Sequence, residues 1–208
     1  MIKLLIICLS ISLTFCDNFL CTEESELFFC NKVFQSKSIS EKISQMIMVR
    51  VNGEFQNKDS WSKKNVSRLI NDKKIGGLIT YTGSIHGTFY NIKEFQEISD
   101  IPLFIAADYE RGVGQFTDGT LFPSNMAIAA TNNTQNSFKQ GEITAIQAKT
   151  LGVNMVFAPV LDINNNCNNP IINFRSYSDN PQTVIDFSLP FIDGLQSKKV
   201  IACGKHFP

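Results

Sequence analysis

The run PLFIAAD, Pro102 to Asp108, is apolar almost throughout and stops on a carboxylate. A continuous apolar stretch of this length suits a strand covered on both faces, as parallel sheets require, whereas a half-solvated strand alternates. Four more runs repeat the pattern: QMIMVRV (Gln45 to Val51), IGGLITY (Ile75 to Tyr81), VNMVFAPV (Val153 to Val160) and VIACGKH (Val200 to His206). Between them apolar residues fall at helical spacing, first Trp61, Val66, Leu69 and Ile70, then Ile92, Phe95 and Ile98. Ser137 is expected to open a helix through Ile143 and Ile146 that Gly152 closes, and Asn180 with Pro181 reads as a cap and first helical residue. Pro190 is expected to kink or break the last helix near Ser188.

Strand and helix in alternation define an α/β fold, either a closed barrel or an open doubly wound sheet. No G-x-G-x-x-G follows the first strand, which counts against the open dinucleotide-binding fold. The polar residues sit instead at the carboxyl ends of strands: Asp108 and Glu110 after the third, Asp162 after the fourth, Lys205 and His206 on the fifth. A (β/α)8 TIM barrel gathers its site from that face, with eight strands and about 250 residues. The 208 residues offer five such strands. The expectation is therefore a TIM-barrel-type fold with about five of the eight strand–helix units, either an incomplete copy of a longer protein or a degenerate product.

Lys and Arg number 19, Asp and Glu 19, so the chain carries no net charge and lacks the basic excess of a nucleic-acid binder. At 43% hydrophobic and 18% charged it has the material for a core and not the bias of a disordered segment. Met1 to Lys3 make a short positive start, and the uncharged run Leu4 to Phe15 is too short to span a bilayer. Residues 1–16 read as a signal peptide cleaved before Asp17, giving a secreted or extracytoplasmic protein. A buried N-terminal helix is the other reading, and the bulk of Phe15 counts against a lipid-anchored Cys16. Residues 17–38 form a lead-in and 39–208 the folded domain. Cys21 and Cys30 lie close enough for a local disulfide in an oxidising compartment. Their spacing matches no zinc pattern, and no metal or other cofactor is expected. Asn65-Val66-Ser67 and Asn132-Asn133-Thr134 are glycosylation sequons only in a eukaryotic host.

Each polar strand end has two readings. Asp108 closes a buried strand, where a lone carboxylate is costly unless it meets a partner or polar ligand; otherwise it caps the next turn. Glu110 orients loop neighbours or pairs with Arg111 at the surface. The guanidinium fork of Arg175 suits vicinal oxygens, or it pairs with Asp162 or Asp179 to hold its loop. Asp162 precedes an Asn-rich turn and reads as a loop-shaping residue. His86 sits in a Gly-containing loop and reads as solvated.

Four segments, IAADYERGVGQF (Ile105 to Phe116), LFPSNMAIAAT (Leu121 to Thr131), NMVFAPVLDINNNCNNPIINFRSYSDNP (Asn154 to Pro181) and GKHFP (Gly204 to Pro208), carry a resemblance. In order and spacing they resemble the N-terminal barrel domain of glycoside hydrolase family 3, and within it the β-N-acetylhexosaminidase branch, from about Ile39 onward. The resemblance implies a carbohydrate partner and the removal of terminal N-acetyl-β-hexosamine residues, N-acetylglucosamine above all, by a retaining mechanism without a cofactor. It implies that Asp108 grips sugar hydroxyls in the deepest subsite and that Arg175, Lys205 and His206 bind substrate. The same resemblance places the acid/base on a different histidine, in the loop after GKHFP, and the nucleophilic aspartate on a later strand. No catalytic residue is then expected within residues 1–208, and His206 is not the catalytic histidine. The alternatives are a family 3 β-glucosidase and a truncated, non-catalytic sugar-binding protein. Near Phe116 the family's hexosaminidases often carry an arginine. The aromatic ring could stack on a sugar but makes no charged hydrogen bond. RGVG (Arg111 to Gly114) also departs from the commoner loop containing Gly-Gly-Arg.

Overall fold

The computed structural model describes residues 31–207. The expected signal peptide and the Cys21–Cys30 pair lie outside them. The chain divides into two units, Met1–Lys42 and Ile43–Pro208. In the first, residues 31–35 are helical, and Lys42 Nζ lies 4.0 Å from the centroid of the Phe34 ring. Helix α1 (Ile39–Ser44), within which the division falls, opens with a reciprocal cap. The Ser38 backbone N–H and hydroxyl donate to Glu41 Oε2 at 2.9 and 2.8 Å, and the Glu41 N–H returns to the Ser38 hydroxyl.

The second unit contains β1 (Met48–Gly53), α2 (Trp61–Lys73), β2 (Gly77–Gly83), α3 (Ile85–Ile98) and β3 (Phe104–Ala107). It continues through α4 (Asn125–Ala129), α5 (Thr134–Thr150), β4 (Met155–Val156), α6 (Pro181–Ser197) and β5 (Ile201–Ala202). The five strands form one parallel sheet in sequence order, with Met48 opposite Gly77, Gly77 opposite Phe104, Ala106 opposite Met155 and Met155 opposite Ile201. Sequential parallel strands joined through helices are the winding of a β/α barrel, and these five do not close on themselves. The fold is the incomplete barrel that the strand count implies.

Alternation along the strands separates two faces. Val51, Leu78, Ile105, Ala107 and Val156 pack against Val66, Ile70, Ile92, Phe95, Ala145, Ala148, Phe191 and Leu195 of the helices. Their strand neighbours Arg50, Phe104 and Ile201 are exposed. Arg50 lies over the Tyr81 ring, 4.2 Å from its centroid. In a closed barrel this second face is the packed interior.

Several boundaries differ from the sequence reading. Gln45 to Ile47 form a turn rather than the start of β1, because the N–H groups of Met46 and Ile47 bond the carbonyls of Ile43 and Ser44. The fourth and fifth strands have ladders of two residues each. Beyond them the chain continues through isolated contacts, since Pro159 offers no N–H to a ladder. The cap of α5 is Asn133 rather than Ser137, which lies four residues on inside the helix, buried, its hydroxyl donating to the Phe187 carbonyl at 2.6 Å. Ile143 and Ile146 point outward. Instead α5 approaches α6 through Gly141 and Gly194, where an added Cβ would collide with the carbonyls of Phe191 and Phe138. Trp61 is likewise exposed. Helix α6 begins at the Asn180–Pro181 cap and runs on through Pro190. The carbonyl deprived of a donor belongs to Asp186, an exposed residue that water reaches, so the helix need not break.

Candidate functional site

Three strand ends deliver the polar groups. After β3, Asp108 and Glu110 flank Tyr109, which is buried in the core with its phenol pKa pushed up by burial. Past β4 and β5, Val160 pairs with Lys205, the Lys205 N–H donating to the Pro159 carbonyl at 3.1 Å and the Leu161 N–H to that of Lys205 at 2.6 Å. Lys205 is thereby set beside the end of β3. Its Nζ sits 2.7 Å from Asp108 Oδ1 and 2.6 Å from Glu110 Oε1. Arg175 grips the same Glu110 with two prongs, Nε to Oε2 at 2.9 Å and Nη2 to Oε1 at 2.7 Å. Arg175 Nη2 lies 3.2 Å from His206 Nε2, and His206 Nδ1 lies 2.7 Å from Asp162 Oδ2. Asp108, Lys205, Glu110, Arg175, His206 and Asp162 thus form one continuous polar chain.

Glu110 is its centre, with a side chain only 7% exposed. Burial pushes its carboxyl up, but the hydrogen bonds and charges of Arg175 and Lys205 outweigh burial and hold it below the usual carboxylate value. The guanidinium of Arg175 is in turn pushed up by its hydrogen bond to Glu110, against the opposing effect of burial. Behind this pair stand two buried amides. Gln140 on α5 donates Nε2 to the Glu110 carbonyl at 3.2 Å, and Asn125 on α4 donates Nδ2 to the Arg175 carbonyl at 2.7 Å. The Arg175 loop is fastened further by Nη1 on the Ile171 carbonyl and by the Ser176 hydroxyl on the Asp162 carbonyl.

Asp108, Glu110, Arg175, Lys205 and His206 border a cleft of about 510 Å³, walled also by Arg111, Gln115, Phe116 and Phe174. A cavity of this size, with a few convergent polar groups and aromatic walls, suits a small polar ring. Carboxylate acceptors, cationic donors and an aromatic face together match a molecule with hydroxyls on its rim and C–H bonds on its flat sides.

The structure brings together Asp108, Arg175, Lys205, His206, Glu110 and Phe116. Glu110 does not pair with Arg111, whose Nε donates to the Phe122 carbonyl at 3.2 Å. Because Tyr109 turns into the core, Glu110 turns inward beside Asp108 and reaches Arg175, 65 residues on. Arg175 accordingly takes Glu110 as its carboxylate partner, rather than Asp162 or Asp179. Asp162 does more than shape its loop, since its carboxylate holds His206. Sequence reasoning missed Gln140, Asn125 and Phe174. Of these only Phe174, next to Arg175, carried a signal. His86 is exposed. Asn132 is exposed, while Asn65 lies within α2 and accepts from Arg68 at 3.1 Å. Cys167 and Cys203 are free and exposed. Among the described residues no group of three or more His, Cys, Asp or Glu could hold a metal ion, and no helix is long and apolar enough to cross a membrane.

Residues 38–208 match the glycosyl hydrolase family 3 N terminal domain. A beta-hexosaminidase A of Pseudoalteromonas piscicida is 35% identical over 157 residues, which are 69% of this chain and 26% of the relative. The structure of a glycoside hydrolase family 3 beta-N-acetylglucosaminidase from Paenibacillus sp. str. FPU-7 is similar with a TM-score of 0.73 at 30% identity, covering 83% of this chain and 33% of that one. A beta-glucoside phosphorylase bound to 2FGlc gives a TM-score of 0.80 at 27% identity, covering 90% and 33%. The chain therefore spans about a quarter to a third of the length of these relatives.

Proposed function

This chain belongs to glycosyl hydrolase family 3, and from that premise we propose that it carries the substrate-gripping part of an exo-acting enzyme that removes terminal N-acetyl-β-hexosamine residues, N-acetylglucosamine foremost. The observation that supports this reading is the polar chain from Asp108 to His206 on one cleft at the ends of β3, β4 and β5. Asp108 accepts from ring hydroxyls while Lys205 and Arg175 donate to ring oxygens. Phe116 and Phe174 offer apolar faces to the ring. Glu110 holds both cations in place.

Retaining hydrolysis needs a nucleophilic carboxylate and an acid/base across the anomeric carbon. In this reading both come from outside residues 1–208, so the chain binds sugar without turning it over. Titration of the purified chain with N-acetylglucosamine is expected to give saturable binding that Asp108→Ala abolishes, with no chromophore released from an aryl N-acetyl-β-glucosaminide. Unchanged binding by Asp108→Ala would overturn the assignment. The enzyme works outside the cytoplasm in this reading, on the strength of the Leu4 to Phe15 run; N-terminal sequencing of the exported protein is expected to begin at Asp17.

A second reading is β-glucoside processing. It is favoured by the likeness to the beta-glucoside phosphorylase and by Phe116 standing where the hexosaminidases often carry arginine. Competition separates the two: glucose displacing N-acetylglucosamine at equal concentration supports the second reading.

A further inference from the structure

We propose that Asp162 fixes the tautomer of His206 so that its Nε2 accepts from Arg175, and that Asp162 is thus a positioning residue that steadies Arg175 at the cleft. An ionised carboxylate only accepts, so the 2.7 Å contact between Asp162 Oδ2 and His206 Nδ1 places a proton on Nδ1. The same oxygen accepts the His206 backbone N–H at 3.1 Å, so one atom clamps both ring and main chain. Across the ring, Nε2 faces Arg175 Nη2 at 3.2 Å. A guanidinium only donates, and Nε2 therefore meets it with a lone pair.

Arg175 cannot swing away freely, because Nη2 also donates to Glu110 and Nη1 to the Ile171 carbonyl. A neutral imidazole has one acceptor lone pair, and Arg175 takes it. The Asp162–His206 pair therefore acts on the cleft through Arg175, which it holds from the side opposite Glu110.

The tautomer is read without any sugar, from two-bond ¹H–¹⁵N correlation spectra of the full chain, with His86→Gln assigning the other histidine. At neutral pH the expected pattern is a protonated Nδ1 and an unprotonated Nε2. Asp162→Ala is expected to shift it toward protonated Nε2, and Asp162→Asn, whose side-chain oxygen still accepts, to retain it. A protonated Nε2 in the parent chain, or an Asp162→Ala spectrum that does not change, would sink the proposal.

Discussion

The β1–β2 side of the sheet and the β4–β5 side are built to different rules. The first two strands run six and seven residues and share a ladder from Met48–Gly77 to Val51–Thr80, yet contribute none of the groups in the polar chain. The ladder joining β4 to β5 is two residues long, and past it the backbone bonds singly, Cys203 N–H to the Val156 carbonyl and Lys205 N–H to that of Pro159. Asp162, Lys205 and His206 all belong to that irregular stretch. A regular ladder spends its N–H and C=O groups on its neighbours and alternates its side chains rigidly. Leaving the ladder frees the chain to set Lys205 and His206 at angles that a strand would not permit. Regularity serves the core, and departure from it serves the cleft.

If that division is right, substitutions on the two sides separate stability from binding. The largest effect is expected from Glu110→Ala, which leaves Arg175 and Lys205 without their shared carboxylate. Breaking a buried pair by removing one partner costs about 3–5 kcal/mol, and urea unfolding with sugar titration is expected to show loss of both stability and binding. Leu78→Ala, on the regular side, is expected to cost about 3 kcal/mol through its cavity. Its folded fraction is expected to bind sugar with unchanged affinity; a weakened affinity would break the comparison. Gln140→Met keeps the volume and loses one buried hydrogen bond. It is expected to cost about 1 kcal/mol and to weaken sugar binding several-fold, because the Glu110 carbonyl loses its anchor.

The smallest effect is a pH dependence. Glu110 has its folded pKa below the unfolded value, so its stabilising contribution is complete above the unfolded carboxylate pKa of about 4.3 and is lost as pH falls through the lower, folded value. Acid unfolding curves of Glu110→Gln are expected to be shallower in that range than those of the parent chain.

Much of this was legible because a buried parallel strand advertises itself as an apolar run and its tip as the first charge after it. Asp108, Lys205 and His206 are found that way. Arg175 was legible only as part of a longer motif. The Glu110–Arg175 fork was hidden because Glu110 is followed at once by Arg111, and local order suggests a local pair. What decides the matter is the burial of Tyr109 between Asp108 and Glu110, a property of the assembled core. Helix α5 misled in a similar way. Large apolar residues such as Ile143 and Ile146 imply the inner face, but the close approach of α6 excludes them and selects Gly141, Thr144 and Ala145. Gln140 was invisible because a glutamine in a helix carries no mark of which carbonyl it meets.

The alternation of sign along the polar chain has one last effect. Lys205 and Arg175 are long, rotamer-rich side chains, and immobilising such a group at a binding surface costs about 0.5–1.5 kcal/mol each. Here their carboxylate neighbours already immobilise them while the chain folds, before any guest arrives. A guest entering the cleft meets a frozen rim, and the entropy of ordering that rim is not deducted from affinity.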